Sequence, residues 1–178
     1  RFKGARVGTV GRRLRFRGES RHKVDSKGRV SIPASFRRVL EAGDPDWTEG
    51  LSPNFVIVYG DQRRKYLECF TIQEIEAIED RISNMKRGSR KRRLLERLIS
   101  GQSVTSSVDD TGRIVIPVKL RDKIALETEA QFIGTVDTFQ IWEPAAYEAD
   151  LEETEDELAD FDGDPLELLD EDDEDEEI

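Results

Sequence analysis

A chain of 178 residues, 36% hydrophobic and 38% charged with a formal net charge of -11, has room for one or two compact domains around a modest core. Its single cysteine, Cys69, excludes an intrachain disulfide framework and supplies no metal-ligand spacing, so a reducing intracellular setting is expected and Cys69 reads as a small buried residue. No apolar run approaches the roughly 18–20 residues that cross a bilayer, and the start lacks the hydrophobic segment of a signal peptide, so no membrane partner is expected.

The net charge hides three unlike regions. Residues 1–15 carry six Arg or Lys and no acid, residues 16–149 carry 22 basic and 21 acidic residues, and residues 150–178 carry eighteen acids and no base. The acidic pI of about 4.8 therefore describes the tail and does not argue against a nucleic-acid partner for the body.

In chain order, the Gly- and Arg-rich leader, 1–15, shows no clear periodicity and is expected to be flexible. Its Phe2-Lys3-Gly4 echoes Phe16-Arg17-Gly18. A first module follows over 16–84. After an initial strand, Asp25-Ser26-Lys27-Gly28 reads as a tight turn, with Asp able to bond backbone N–H groups and Gly able to take positive φ. Val30 to Ile32 forms a short strand ended by Pro33, and Phe36 and Leu40 lie on one face of a short helix. Phe55 to Tyr59 and Tyr66 to Phe70 form a hairpin around the charged loop Gly60 to Lys65. Thr71 and Glu74 have the spacing of a helix-starting capping box, and Ile75, Ile78, Ile82 and Met85 give that helix its apolar stripe.

Gly88-Ser89 then interrupts the helical region, and Arg90 to Ile99 is predicted as a second helix with Leu94, Leu95, Leu98 and Ile99 as its apolar residues, within a basic connector over 85–99. Lys86, Arg87, Arg90, Lys91, Arg92, Arg93 and Arg97 put seven positive charges in twelve residues. Such a face can follow phosphates, but a solvated helix face with its leucines packed inward, or pairing with acids of a neighbouring subunit, is the favoured reading.

A second module, 100–149, repeats the first. Val24 to Pro33 aligns without a gap to Val108 to Pro117 at an offset of 84 residues, and the match runs on through Phe36 and Leu120, Arg37 and Arg121, and Leu40 and Ile124. A second hairpin over Phe132 to Trp142 and a helix beginning near Glu143, with Pro144 at its first position, complete it. One module buries too little alone, so the copies are expected to share one core. The acidic tail, 150–178, ending in eight consecutive acids from Asp170 to Glu177, is expected to be largely disordered. The fold class is mixed α/β with a mainly β core.

The motifs Asp25-Ser26-Lys27-Gly28-Arg29 and Asp109-Asp110-Thr111-Gly112-Arg113 resemble those of the MraZ family of bacterial transcriptional regulators, relatives of AbrB-like swapped-hairpin proteins, over roughly residues 16 to 149. The resemblance implies two swapped-hairpin modules packed as a pseudo-two-fold unit. It further implies a closed ring of many chains and binding to short direct repeats of double-stranded promoter DNA, usually repressing the division and cell-wall cluster. A cytoplasmic, nucleoid-associated protein is then expected, with no cofactor.

Arg29 and Arg113 are the candidate DNA-binding residues, because guanidinium can fork onto guanine or clamp phosphate; Lys27 adds phosphate affinity. Asp25 and Asp109 are assigned to holding the turn or the neighbouring arginine, and Gly28 and Gly112 to the turn itself. An ordinary turn salt bridge is the bland alternative, weakened by its occurring twice. Thr111 in place of Lys27 makes the copies unequal, with Arg29 expected in the stronger phosphate-binding environment. His22, the only histidine, has no catalytic companion, and no phosphate-loop or nucleotide-binding glycine pattern is present, so catalysis is not expected. The rival from another class is a ring-forming scaffold or inhibitor that holds a protein partner.

Overall fold

The computed structural model describes residues 13–170. The described residues up to Pro144 and those from Ala145 onward form separate compact units. The first unit contains eight strands and four α-helices. In chain order they are β1 (Glu19–Lys23), β2 (Arg29–Ser31), α1 (Ala34–Ala42), β3 (Asn54–Val58), β4 (Tyr66–Thr71), α2 (Ile72–Ser83), α3 (Arg90–Leu95), β5 (Ser103–Ser107), β6 (Arg113–Val115), α4 (Val118–Lys123), β7 (Glu129–Thr135) and β8 (Thr138–Trp142). A π-turn, Glu96–Gly101, continues α3 toward β5.

Six strands make one antiparallel sheet in the order β1-β7-β8-β4-β3-β5, and β2 and β6 make a separate ribbon. Exchanging the two copies turns this order into its own reverse. The repeat thus folds as a pseudo-two-fold pair in which each copy lends its first strand to the other's hairpin: β1 pairs with β7, from Glu19↔Ile133 to Lys23↔Glu129, and β5 pairs with β3, from Ser107↔Asn54 to Ser103↔Val58. Neither first strand has a partner in its own copy, which explains why the two copies are fused tightly.

One core is shared, as the length of a single module requires. Phe16, Phe36, Phe55, Phe132 and Phe139 are all at most 2% exposed, and they meet in edge-on and tilted pairs with centroids 5.1–6.1 Å apart. Val30, Ile32 and Leu40 from the first copy and Ile114, Ile116, Leu120 and Ile124 from the second close the same cluster, and Cys69 is fully buried within it. Burial pushes the Cys69 thiol pKa well up, so the residue is inert. A smaller cluster of Val56, Val58, Phe70 and Ile75 lies on the other face of the sheet, with Ile72, Ile78 and Ile99 against it.

Several expectations are met locally. Pro33 and Pro117 each stand at the N-cap, just before α1 and α4, and Thr71 caps α2 by accepting from Glu74 N–H at 3.1 Å. Other points differ. The connector helix is α-helical only to Leu95, and Leu94 and Leu95 are exposed rather than packed inward. A continuous helix over Arg90 to Ile99 gives way to the π-turn, whose wider turn leaves only Leu98 and Ile99 half-buried. Near the start, residues 13–15 are held, since Arg13 and Arg15 both pair with Asp137; Phe2-Lys3-Gly4 lies outside the described residues. In the second unit, α5 (Pro144–Ala159) and a 3₁₀ segment, Pro165–Asp170, stand where the acidic composition predicts a largely disordered stretch from 150. Ala, Leu and Glu, which make up most of this segment, are strong helix formers, and their intrinsic preference outweighs the acidic composition. Of the terminal acidic run only Asp170 is among the described residues.

Candidate nucleic-acid interface

The two motif turns are built alike. Asp25 Oδ1 accepts the N–H groups of Lys27 and Arg29, both at 2.9 Å, and Asp109 Oδ1 accepts those of Thr111 and Arg113, both at 2.9 Å. Each turn also closes through its glycine, with Gly28 N–H on Asp25 O and Gly112 N–H on Asp109 O, both at 3.0 Å. These bonds favour the ionised carboxylates. The Arg29 N–H is foremost in holding Asp25 below its ordinary pKa, and the Arg113 N–H is foremost for Asp109. The motif carboxylates therefore act first on backbone, as the turn-holding role requires.

Gly28 and Gly112 have φ of +81° and +76°, the left-handed region that glycine enters freely. Their surroundings differ. A Cβ on Gly28 would stand 2.3 Å from Ile116 O and 2.9 Å from Arg121 Nε, whereas nothing lies within 4 Å of that position at Gly112.

Between the turns lies the β2–β6 ribbon, with register Arg29↔Val115, Val30↔Ile114 and Ser31↔Arg113. It is extended at each end by Ile32 N–H on Gly112 O and Ile116 N–H on Gly28 O. Because side chains alternate along a strand, burial of Val30 and Ile114 turns Arg29, Ser31, Arg113 and Val115 outward together. The two arginines are diagonal on that face, offset by two residues along the ribbon, roughly 7 Å, and by one strand spacing of about 5 Å. The motif arginines of two copies 84 residues apart are thus brought onto one surface. Helix arginines brace it: Arg37 of α1 reaches across to the second copy and donates to Asp109 O at 3.0 Å, and Arg121 of α4 donates to Ile116 O of its own copy at 2.9 Å, beside Gly28.

The copies part at the arginine side chains. Arg29 Nε donates to Asp25 Oδ2 at 2.6 Å, a direct ion pair, so the bond expected between motif acid and arginine is formed in the first copy. In the second, Thr111 Oγ1 donates to Asp109 Oδ1 at 2.8 Å and accepts from Arg113 Nε at 3.1 Å, so a hydroxyl stands between acid and arginine. Asp110 replaces Ser26 as well. Counting residues 25–29 and 109–113, the first turn carries one net positive charge and the second one net negative charge.

Ser31 and Val115 were not singled out from the sequence, although the alternation about Val30 and Ile114 contains the signal. His22, which has no catalytic companion in the sequence, joins the sheet to the ribbon, with Nδ1 2.9 Å from Ser31 Oγ and Nε2 2.8 Å from Ser20 Oγ. Burial lowers its pKa. Lys27 is exposed beside Arg29.

The basic connector divides in two. Arg92 donates to Glu96 at 2.6 Å and to the carbonyls of Ser83 and Met85 at 3.1 and 2.7 Å, and its side chain is only 15% exposed. It ties the end of α2 to α3 and keeps most of its side chain from solvent, unlike the other candidate phosphate contacts of the connector. Lys86, Arg87, Arg90, Lys91 and Arg93 are exposed. Among the described residues no helix is long and apolar enough to cross a membrane, and no group of His, Cys, Asp or Glu is arranged to hold a metal.

The fold and site therefore define a duplicated, interleaved β-module that presents a paired-arginine ribbon. The family described as "MraZ protein, putative antitoxin-like" matches residues 15–98 and 100–164, one match per copy. The chain is 61% identical over 160 residues to a protein called "Transcriptional regulator MraZ" from Ruegeria sp. (strain TM1040), and equally to one from Ruegeria pomeroyi, covering 88% of this chain and 95% of each relative. A protein of the same name from Pediococcus pentosaceus is 31% identical over 146 residues, covering 82% of this chain and 93% of the relative. The chain belongs to the MraZ family.

Proposed function

We propose that this protein is a sequence-specific DNA-binding transcriptional regulator that reads short direct repeats in promoter DNA through its two Asp-x-x-x-Arg turns. The observation that carries the reading is the outward face of the β2–β6 ribbon, where Arg29 and Arg113 stand diagonally with Ser31 and Val115 between them. A two-stranded ribbon fits the major groove, where arginine pairs bidentately with guanine and an apolar side chain meets the thymine methyl. The names of the relatives support regulation of transcription. Repression of the division and cell-wall cluster, the protein's own promoter included, rests on the family resemblance, as do the closed ring and the cytoplasmic, nucleoid-associated location.

A ring suits the small size of each contact surface. One ribbon offers few contacts, each worth about 1–3 kcal/mol of discrimination, and several ribbons held at fixed spacing gain effective concentration on repeated sites. Lys86, Arg87, Arg90, Lys91 and Arg93 remain candidates for phosphate contact. A second reading, a ring that holds a protein partner, is favoured by Leu94 and Leu95, which α3 leaves exposed.

Arg29→Ala and Arg113→Ala test the main reading by fluorescence anisotropy on DNA upstream of the protein's own gene. Each is expected to weaken binding roughly 10-fold or more, the equivalent of one lost bidentate contact. Undiminished binding by folded variants overturns it. Fragments with one, two and three repeats should bind in increasing order, and equal affinity for all three speaks against multivalent reading.

A further inference from the structure

From the first strand through α1 and α4 the duplication supplies an internal control, and α4 departs from it in the type of side chain it presents. At the offset of 84, Lys119 and Lys123 of α4 match Ser35 and Val39 of α1. Val39 is 8% exposed and packs in the core, so the module folds well with an apolar residue at this position. In the second copy Lys123 occupies it, and Lys123 Nζ is buried without a hydrogen-bond partner, the one such side-chain nitrogen or oxygen among the described residues. Burial lowers the Lys123 pKa, the nearby Arg64 adds to that, and the Asp61 carboxylate opposes it, so this half-buried lysine keeps an ammonium whose hydrogen-bonding capacity is unfilled.

Lys123 lines a recess of about 380 Å³ between α4 and the β3–β4 loop, together with Lys119, Tyr59, Arg64, Gln102 and Asp61. Lys119 Nζ stands 5.2 Å from the centre of the Tyr59 ring. Asp61, the acid of the recess, is already matched, since Arg63 donates to its two oxygens at 2.8 and 2.7 Å. Arg64 donates to Glu68 at 2.6 Å with its Nη1 and leaves its other N–H groups for further bonds. Two lysines that form no close ion pair and a part-engaged arginine therefore converge on a small cavity beside the Gln102 amide, where the Asp61 carboxylate lies close enough to Lys123 to favour its charged form. That set suits a compact anion with more than one charge and several acceptor oxygens.

We propose that the recess between α4 and the β3–β4 loop binds a small phosphate-bearing molecule, with Lys119 and Lys123 as its principal cationic contacts. No residue of the β2–β6 ribbon lines the recess, so its occupant is separate from the candidate DNA surface.

The test uses the full chain with pyrophosphate as probe, read by thermal melting and by titration calorimetry against sodium chloride and citrate at matched ionic strength. Pyrophosphate is expected to raise Tm by roughly 5–10 °C at a hundredfold excess over its Kd. Lys123→Val, which copies the first module, should fold, melt at or above the wild-type temperature, and lose most of that shift. Lys119→Gln should weaken it, and Arg29→Ala/Arg113→Ala should keep it, which separates this site from the ribbon. No shift in the wild type, an equal shift in Lys123→Val, or an equal shift with citrate overturns the proposal. So does a result in which Lys119→Gln and Lys123→Val impair DNA binding while pyrophosphate binds neither them nor the wild type, because the recess would then serve the DNA backbone.

Discussion

At the scale of residues, the two turns share one backbone scheme and differ in what each arginine touches. Gly28 is needed for its φ of +81° and for the close approach of Ile116 O, whereas Gly112 is needed for its φ alone. Gly112→Ala should therefore destabilise by about 1–2 kcal/mol, the usual penalty of a left-handed L-residue, and Gly28→Ala by clearly more, as measured by urea unfolding. Equal losses would show that the packing against Ile116 yields freely. Both motif aspartates have lowered pKa, so their hold on the turns is present above the ordinary carboxylate range and is lost only as pH falls through the lowered values. DNA affinity should accordingly show no titration from these carboxylates between pH 5 and pH 8. Thr111→Lys replaces the bridging hydroxyl with a cation, giving the second turn the lysine of the first while Asp110 remains. It should strengthen DNA binding at low salt and steepen the salt dependence by about 0.9 in the exponent. An unchanged slope would place position 111 away from phosphate.

At the scale of elements, the sequence was readable wherever the signal is local. The offset of 84 residues holds from the first strand of each copy through α1 and α4, and turn chemistry and apolar spacing mark those elements. Pairing between copies was not readable, because β1 on β7 and β5 on β3 join strands about 110 and 50 residues apart, and no local pattern encodes such a choice. Nor was Arg92 separable from its basic neighbours; its role comes from the carbonyls of Ser83 and Met85, which only the turn between α2 and α3 brings near. The β7–β8 turn carries strain of its own: Val136, 58% exposed, has φ of +72°, and Asp137 N–H closes on Thr135 O at 3.0 Å in a three-residue γ-turn. A β-branched residue there costs about 1–3 kcal/mol, so Val136→Gly should raise Tm by a few degrees even after its greater unfolded-state entropy. A lower Tm would mean that the valine side chain contributes more than its backbone loses.

At the scale of the whole molecule, strand exchange makes the two copies one folding unit. A fragment holding only residues 13–98 has no acceptor for β1 and no partner for β2. It should be unfolded as a monomer, or dimerise so that a second fragment takes the place of the missing copy; a monomer with a sharp melt would contradict the shared-core account. The acidic residues after 150 compete in principle with DNA phosphate for basic surface, and removing 150–178 should then strengthen weak, nonspecific binding at low salt. Unchanged binding would assign those residues to solubility instead.

The central claim is that the outward face of the β2–β6 ribbon meets DNA, and Val115 tests it without touching the motif arginines. Val115 is 49% exposed and lies opposite Arg29, so Val115→Glu leaves the core intact while placing a negative charge on that face. Promoter affinity of this variant, measured by anisotropy beside its thermal melt, should fall roughly 100-fold or more at an unchanged Tm, as a carboxylate against the groove carries several kcal/mol of repulsion. Wild-type affinity in the folded variant would contradict the account and move the DNA surface elsewhere on the molecule.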